Sequence, residues 1–231
     1  MDKKTYLIFG ISKGLGKAIA QKLPNKEDTV FGISRSKPAY LDQQKNMQWI
    51  AADLSAPSVA TQLLKEKIQD QKIDYFIYNV GIWEELAFSS DYDFQHVPES
   101  EIITIINTNI TSCLLIVQSI IDNLKRSPNA KVIFIGSTWG LDNHKGKEVV
   151  FSATKFALRG IVHALRENLR TYRVGVSILN LGYLATLPNE SENKDLIPLE
   201  DVIAALRFVT TTSNSSCVKE INMPAMEDDN M

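Results

Sequence analysis

Seven short apolar runs, at residues 6–9, 29–33, 47–51, 73–78, 131–135, 175–179 and 217–222, alternate with longer segments of helical spacing at 14–23, 59–69, 100–125, 152–172 and 199–211. This alternation limits the fold more than any other feature. Parallel strands need a crossover of roughly a dozen residues or more, and a helix is the usual way to fill it. Strands that are apolar nearly throughout imply a sheet covered on both faces. The pattern predicts a single doubly wound α/β domain over residues 1–225, with a central parallel sheet of seven strands, and a frayed acidic tail over residues 226–231. Ligands on such sheets bind at the carboxyl ends of the strands, near the point where strand order reverses.

The 231 residues suffice for one sizeable core and call for no second. With 44% apolar residues, 23% charged residues and a formal net charge of −2, there is no electrostatic case for nucleic acid or an anionic membrane. Cys113 and Cys217 are far apart and show no metal-ligand spacing. They read as reduced packing thiols of a cytoplasmic protein, with no metal site expected. Met1 to Lys4 lead into the first strand without the apolar region of an export signal. The most apolar long segment, 102–121, is interrupted by Asn107, Asn109 and Gln118, which favours a buried helix over a membrane span.

The first strand runs into Phe9-Gly10-Ile11-Ser12-Lys13-Gly14-Leu15-Gly16 and then a helix. Strand, glycine turn and helix read as a dinucleotide cradle or as a plain tight turn, and the position after the first strand favours the cradle. Gly10 permits a tight turn off the strand, Gly14 a close approach to a pyrophosphate, and Gly16 close packing of helix on sheet. Free N–H groups at the helix start serve the phosphates. The spacing Gly-x-x-x-Gly-x-Gly is similar to the turn of the short-chain dehydrogenase/reductase family, which usually has Thr where Phe9 stands. That departure should weaken a local hydrogen bond and leave the cradle intact. The resemblance implies a Rossmann-type domain with a nicotinamide dinucleotide on Gly10, Ser12, Lys13, Gly14, Leu15 and Gly16.

Further partial motifs resemble the family in the right order. The second strand ends Ser34-Arg35-Ser36, with no acid for a ribose 2′-hydroxyl. Arg35 and Lys13 match the family's phosphate-reading positions, so NADP(H) is expected in preference to NAD(H). Asp53 and Leu54 match the pair beside the adenine, and Asp53 is also expected to N-cap the next helix. Asn79-Val80-Gly81 resembles the end of Asn-Asn-Ala-Gly, with Asn79 bracing the sheet and Gly81 making room for the ribose. Asn109 matches the asparagine whose carbonyl holds a water in the family's proton relay, with Asn107 as the alternative. Ser137 matches the serine that hydrogen-bonds the substrate oxygen. Leu181-Gly182 and Thr186 resemble Pro-Gly-x-x-x-Thr, placing Gly182 and Thr186 at the nicotinamide end, with Leu181 loosening the turn. Residues 83–100, with five acids and four aromatics, read as a wall of the substrate opening or, in preference, as a surface loop. The short stretch 188–198 implies an open pocket of modest selectivity, and Trp83, Trp139, Phe151 and Tyr183 give that pocket an aromatic side.

Phe151-Ser152-Ala153-Thr154-Lys155 resembles the family's Tyr-x-x-x-Lys in all but its first residue. Positions i and i+4 share a helix face. In the resembled mechanism the lysine binds the nicotinamide ribose and lowers the tyrosine pKa, and the tyrosine exchanges a proton with the substrate oxygen. Lys155 is retained, whereas Phe151 has the ring without a donor or acceptor. A positioned general acid contributes about 10²–10⁴-fold, so carbonyl reduction is expected to be compromised. Four accounts stay open: an engineered substitution; a proton from His144 or Tyr183; an acceptor such as a quinone or activated alkene that needs no side-chain acid; and a catalytically silent NADP(H)-binding sensor or partner. The resemblance implies a small-molecule carbonyl or alcohol substrate, with Asn109, Ser137 and Lys155 in support. It also implies a homodimer or homotetramer built on the helices that carry Asn109 and Lys155.

Overall fold

The computed structural model of the chain describes residues 2–142, 145–190 and 192–228. Strands β1 (Thr5–Phe9), β2 (Thr29–Ser34), β3 (Met47–Ala51), β4 (Tyr75–Tyr78), β5 (Lys131–Ile135), β6 (Gly175–Leu181) and β7 (Glu220–Met223) form one sheet in the order β3-β2-β1-β4-β5-β6-β7. Every pair is parallel. Strand order reverses between β1 and β4, where Phe9 is in register with both Ile33 and Tyr78. The carboxyl ends of β1, β2 and β4 are therefore level, and the three turns that leave them meet.

Helices α1 (Gly14–Lys22) and α7 (Leu199–Thr211) cover one face; α2 (Pro57–Ile68), α4 (Ser112–Ser119) and α6 (Val149–Leu169) cover the other. The alternation of side chains along β1 explains the division. Tyr6 and Ile8 enter the core beneath α1 and α7, and Leu7 and Phe9 enter the core with Phe76, Tyr78 and Phe134.

The long helix expected over 100–125 is broken in two places. Between α3 (Glu99–Ile106) and α4 lies a π-helical turn, Asn107–Thr111, and Ile120 leaves helical geometry before α5 (Ile121–Lys125). The buried Tyr78 hydroxyl donates to the Thr108 carbonyl at 2.6 Å, giving a carbonyl of the widened turn a partner outside the helix. By length and composition alone the stretch Glu99–Ser119 could cross a membrane, contrary to the expectation that its polar residues prevent it. In the fold it carries the fully buried Asn109 and Ser112, whose hydroxyl donates to the Leu54 carbonyl at 2.6 Å.

Four smaller expectations are corrected. Asp53 does not cap α2: the helix starts at Pro57, and Asp53 accepts from the Ser55 N–H at 3.0 Å and the Ser55 hydroxyl at 2.9 Å in a turn of its own. Leu181 does not loosen its turn, because it continues β6 opposite Met223 and the Gly182 N–H donates to Met223 at 2.9 Å. Cys113 is a buried packing thiol, but Cys217 is exposed, since β7 begins only at Glu220. The tail is not frayed through Asp228, which is buried and donates its N–H to the Ala225 carbonyl at 2.9 Å.

Candidate active site

The glycine turn leaves β1 with Gly10 at φ 80° and Gly14 at φ 51°, both left-handed conformations that favour glycine. A Cβ on Gly16 would overlap the Gly10 carbonyl and lie 2.7 Å from Asn79 Nδ2. The helix therefore sits directly on the turn, and Asn79 packs against both. The turn has two anchors: the Gly10 N–H donates to Ile33 at 2.8 Å, and the Tyr40 hydroxyl donates to the Ile11 carbonyl at 2.7 Å. Phe9, where the family usually has Thr, is instead a fully buried ring 5.3 Å from Tyr78.

A cleft of about 720 Å³ opens over the point of strand reversal. It is lined by Gly10, Ser12, Lys13 and Gly14 of the glycine turn, by Arg35, Asp53 and Leu54 beyond β2 and β3, by Asn79, Gly81 and Trp83 beyond β4, and by Thr186, which lies against Gly14. Ten of the sequence-predicted cofactor residues thus share one cavity. Leu15 and Gly16 lie behind them in α1, and Gly182 packs against the tail, where a Cβ would overlap the Asp228 carboxylate. Hydrogen bonds from Ser55 and the charge of Arg35 hold the Asp53 carboxyl below its ordinary range.

Lys155, Ser137, Phe151, Trp139 and Tyr183 do not line this cleft. Lys155 is buried on α6, with Nζ donating to the Ile135 carbonyl at 3.3 Å, and a Cβ on Gly81 would come within 3.0 Å of that nitrogen. Burial pulls its pKa down to about 8. Asn109 is fully buried, and its side chain satisfies three groups. Oδ1 accepts from the Ile82 N–H at 2.9 Å, while Nδ2 donates to the Ile82 carbonyl at 2.8 Å and to Thr154 Oγ1 at 3.0 Å. The π turn, the chain leaving β4 and α6 are joined by this one amide. Asn107 is only partly buried, and its carbonyl accepts from Ser112 within the turn. Ser137 is buried at the end of β5, and its oxygen accepts from the Trp139 N–H at 3.2 Å. Tyr183 is about half exposed. His144 lies outside the described residues.

The segment 83–98 is not the plain surface loop the sequence favoured. Glu84 is buried, and its Oε1 accepts from the Val150 N–H at 2.8 Å, the Phe151 N–H at 3.4 Å and the Tyr92 hydroxyl at 3.1 Å. The Tyr92 oxygen in turn accepts from the Val149 N–H at 3.0 Å, and Glu148 accepts from the Phe88 N–H at 2.7 Å. The first turn of α6 is capped almost wholly by this loop. Phe88, held at φ 65°, packs its ring 5.8 Å from Phe151 and 5.1 Å from Trp139. Neither the Glu84 cap nor the packing of Phe88 was legible in the sequence, because a cap acceptor 66 and 67 residues from its donors leaves no local pattern.

A family model for short chain dehydrogenases matches residues 4–197. The chain is 29% identical over 193 residues to the 3-oxoacyl-[acyl-carrier-protein] reductase FabG of Buchnera aphidicola subsp. Schizaphis graminum, covering 80% of this chain and 75% of that protein. Among solved structures it is similar to Pseudomonas aeruginosa RhlG in an NADP active-site complex, with a TM-score of 0.81, 21% identity and coverage of 97% and 96%. It is also similar to 4-hydroxyisoleucine dehydrogenase complexed with NADH, with a TM-score of 0.84, 16% identity and coverage of 97% and 98%. The seven parallel strands, the glycine turn at their reversal point and the match across most of the chain place this protein in the short-chain dehydrogenase family of oxidoreductases.

Proposed function

We propose that this chain is an NADP(H)-dependent oxidoreductase for a small-molecule carbonyl or alcohol, with the family's usual proton transfer lost at Phe151. The cleft at the strand reversal carries this reading, since it is lined by a glycine turn whose Gly10 and Gly14 take left-handed conformations and whose Gly16 admits no Cβ against the Gly10 carbonyl. The bound cofactor supplies or accepts a hydride. Lys13 and Arg35 give positive charge and a forked donor for a 2′-phosphate. Asp53 and Leu54 flank the adenine, Asn79 and Gly81 leave space for the ribose, and Gly182 and Thr186 hold the nicotinamide end. Lys155 binds the ribose, Ser137 orients the substrate oxygen, and Asn109 fixes the π turn behind them. Phe151 has no proton to exchange.

Titration with NADPH and NADH, read from cofactor fluorescence, tests the proposal. NADPH is expected to bind at least about tenfold more tightly, and Arg35→Asp to abolish the difference. No binding of either cofactor rejects the reading; equal binding rejects the preference. Exposed Ile103, Ile106 and Leu114 on α3 and α4 support a homodimer or homotetramer, which light scattering checks, and a cytoplasmic location is part of the same reading.

A second reading, a catalytically silent NADP(H)-binding protein, is favoured by the burial of Ser137, Phe151 and Lys155, none of which lines the cleft. Tight NADPH binding with no turnover by this chain or by Phe151→Tyr would select it.

A further inference from the structure

Ser137, Phe151 and Lys155, which a substrate of the proposed reaction has to approach, are all buried, and none of them lines the cleft. Phe88, from the loop after β4, packs over Phe151. Its ring lies 5.8 Å from Phe151, 5.1 Å from Trp139 and 5.7 Å from Trp83, each contact edge-to-face. Gly146 closes on the Trp139 ring, where a Cβ would overlap it. Trp83 lines the cleft, whereas Phe88, Trp139 and Phe151 do not. The room between these aromatics is therefore taken, and Phe88 is the ring that takes it.

Phe88 is not an ordinary core side chain. It is 44% exposed, and its backbone takes φ 65°, a conformation that is rare for a bulky residue and costs energy. The other two non-glycine residues of positive φ among those described, Gln69 and Arg173, each end a helical segment, where the chain has to turn. Phe88 ends none.

Its conformation is held from outside, by a strap of residues 84–92 fastened to the first turn of α6, the turn that carries Phe151. The Phe88 N–H donates to Glu148 Oε1 at 2.7 Å, and Glu84 Oε1 takes the Val150 N–H at 2.8 Å. The Tyr92 hydroxyl bridges the two segments, donating to Glu84 at 3.1 Å and accepting from the Val149 N–H at 3.0 Å. The fastening is incomplete, because Glu84 Oε2 is buried with no partner. Two costs thus belong to the closed strap, a strained backbone at Phe88 and a desolvated carboxylate oxygen, and both are relieved when the strap leaves α6. The ring contacts and the hydrogen bonds oppose that release.

We propose that Phe88 is a plug that decides what this chain admits: its ring occupies the place beside Phe151 that a substrate would take, and a ligand gains that place only as residues 84–92 swing off α6. This rests on the reading of Phe151 and Lys155 as the reaction centre and adds to it a gate and a substrate class. The space the ring vacates is that of one phenyl group against Trp83, Trp139 and Phe151, so it suits a neutral aryl ketone.

The test uses acetophenone without cofactor, followed by tryptophan fluorescence in stopped flow, with NADPH binding read separately from its own fluorescence. Phe88→Gly removes the ring and suits the positive φ; Tyr92→Phe keeps the ring and removes the bridging hydroxyl. Acetophenone is expected to bind Phe88→Gly at least about tenfold more tightly than the unmodified chain, and Tyr92→Phe about threefold more tightly or better. In the unmodified chain the binding rate should level off with ligand concentration at a value set by opening, whereas in Phe88→Gly it should rise linearly. Equal affinities for all three forms overturn the proposal. So does tighter binding by Phe88→Gly with Tyr92→Phe unchanged and no levelling-off, because that marks a cavity and not a gate. Tyr92→Phe and the levelling-off carry the test if Phe88→Gly does not fold. Gated acetophenone binding by a chain that binds no NADPH keeps the plug and rejects the cofactor reading; NADPH binding with ungated acetophenone removes the plug alone.

Discussion

The Lys155 ammonium lies 5.4 Å from the centre of the Phe151 ring, one helical turn away on α6, and donates to the Ile135 carbonyl at 3.3 Å. A ring and a backbone carbonyl surround a buried cation.

Phe151→Tyr would place a titratable hydroxyl beside this ammonium, as the proposed function requires of an active carbonyl reductase. Ketone reduction is expected to rise by about 10²–10⁴-fold over the unmodified chain, measured as steady-state NADPH oxidation. Matching rates for the two forms would move the proton donor elsewhere, and Tyr183→Phe would then decide whether Tyr183 supplies it.

The lowered pKa of Lys155 has a signed effect on stability. In the unfolded chain the group titrates near its ordinary value of 10.5; burial brings it to about 8 in the fold. Below about pH 8 both states are protonated, and the folded state bears the full cost of the buried charge. Between about 8 and 10.5 the unfolded state binds more protons, so this contribution to stability rises with pH, by on the order of 3 kcal/mol over the whole window. Lys155→Met is therefore expected to gain stability at about pH 7 and to lose much of that advantage by about pH 9.5. Denaturant midpoints at the two pH values check this; a pH-independent difference rules it out.

Two glycine substitutions separate a steric requirement from propensity. Gly16→Ala places a methyl against the Gly10 carbonyl and is expected to cost about 1–3 kcal/mol or more and to weaken NADPH binding. Gly160 lies within α6, and a Cβ there would meet nothing within 4 Å, so Gly160→Ala is expected to stabilise by about 0.5–1 kcal/mol. Thermal melts distinguish the two signs.

Asn109→Ala leaves the Ile82 N–H and carbonyl and the Thr154 hydroxyl short of a partner. The expected cost is about 3 kcal/mol, with faster hydrogen exchange at the Ile82 amide. Asn107→Ala, at a partly buried site, is expected to cost less than about 1 kcal/mol. Equal effects would remove the distinction that burial draws between the two asparagines.

The π turn shows where sequence patterns stop. Periodicity marks residues 100–125 as helical, because the apolar positions recur at the right spacing. It does not register that the Tyr78 hydroxyl and the Asn109 amide, arriving from β4 and from the turn itself, hold a wider turn in place. Asp53 shows the same limit at shorter range: an acid ahead of a helix suits a cap, but Pro57 sets where the helix starts.

Local order along the chain determined the parallel sheet, the glycine turn at its reversal point and the lysine four residues after Phe151, since strand alternation, glycine spacing and helical periodicity all act between near neighbours. Tertiary structure alone decided that Asn109 and not Asn107 is fully buried, that Glu84 caps α6, and that Phe88 packs on Phe151. Those relationships join residues far apart in sequence, and their partners are chosen by burial and hydrogen-bond satisfaction once the sheet has brought the chain ends together.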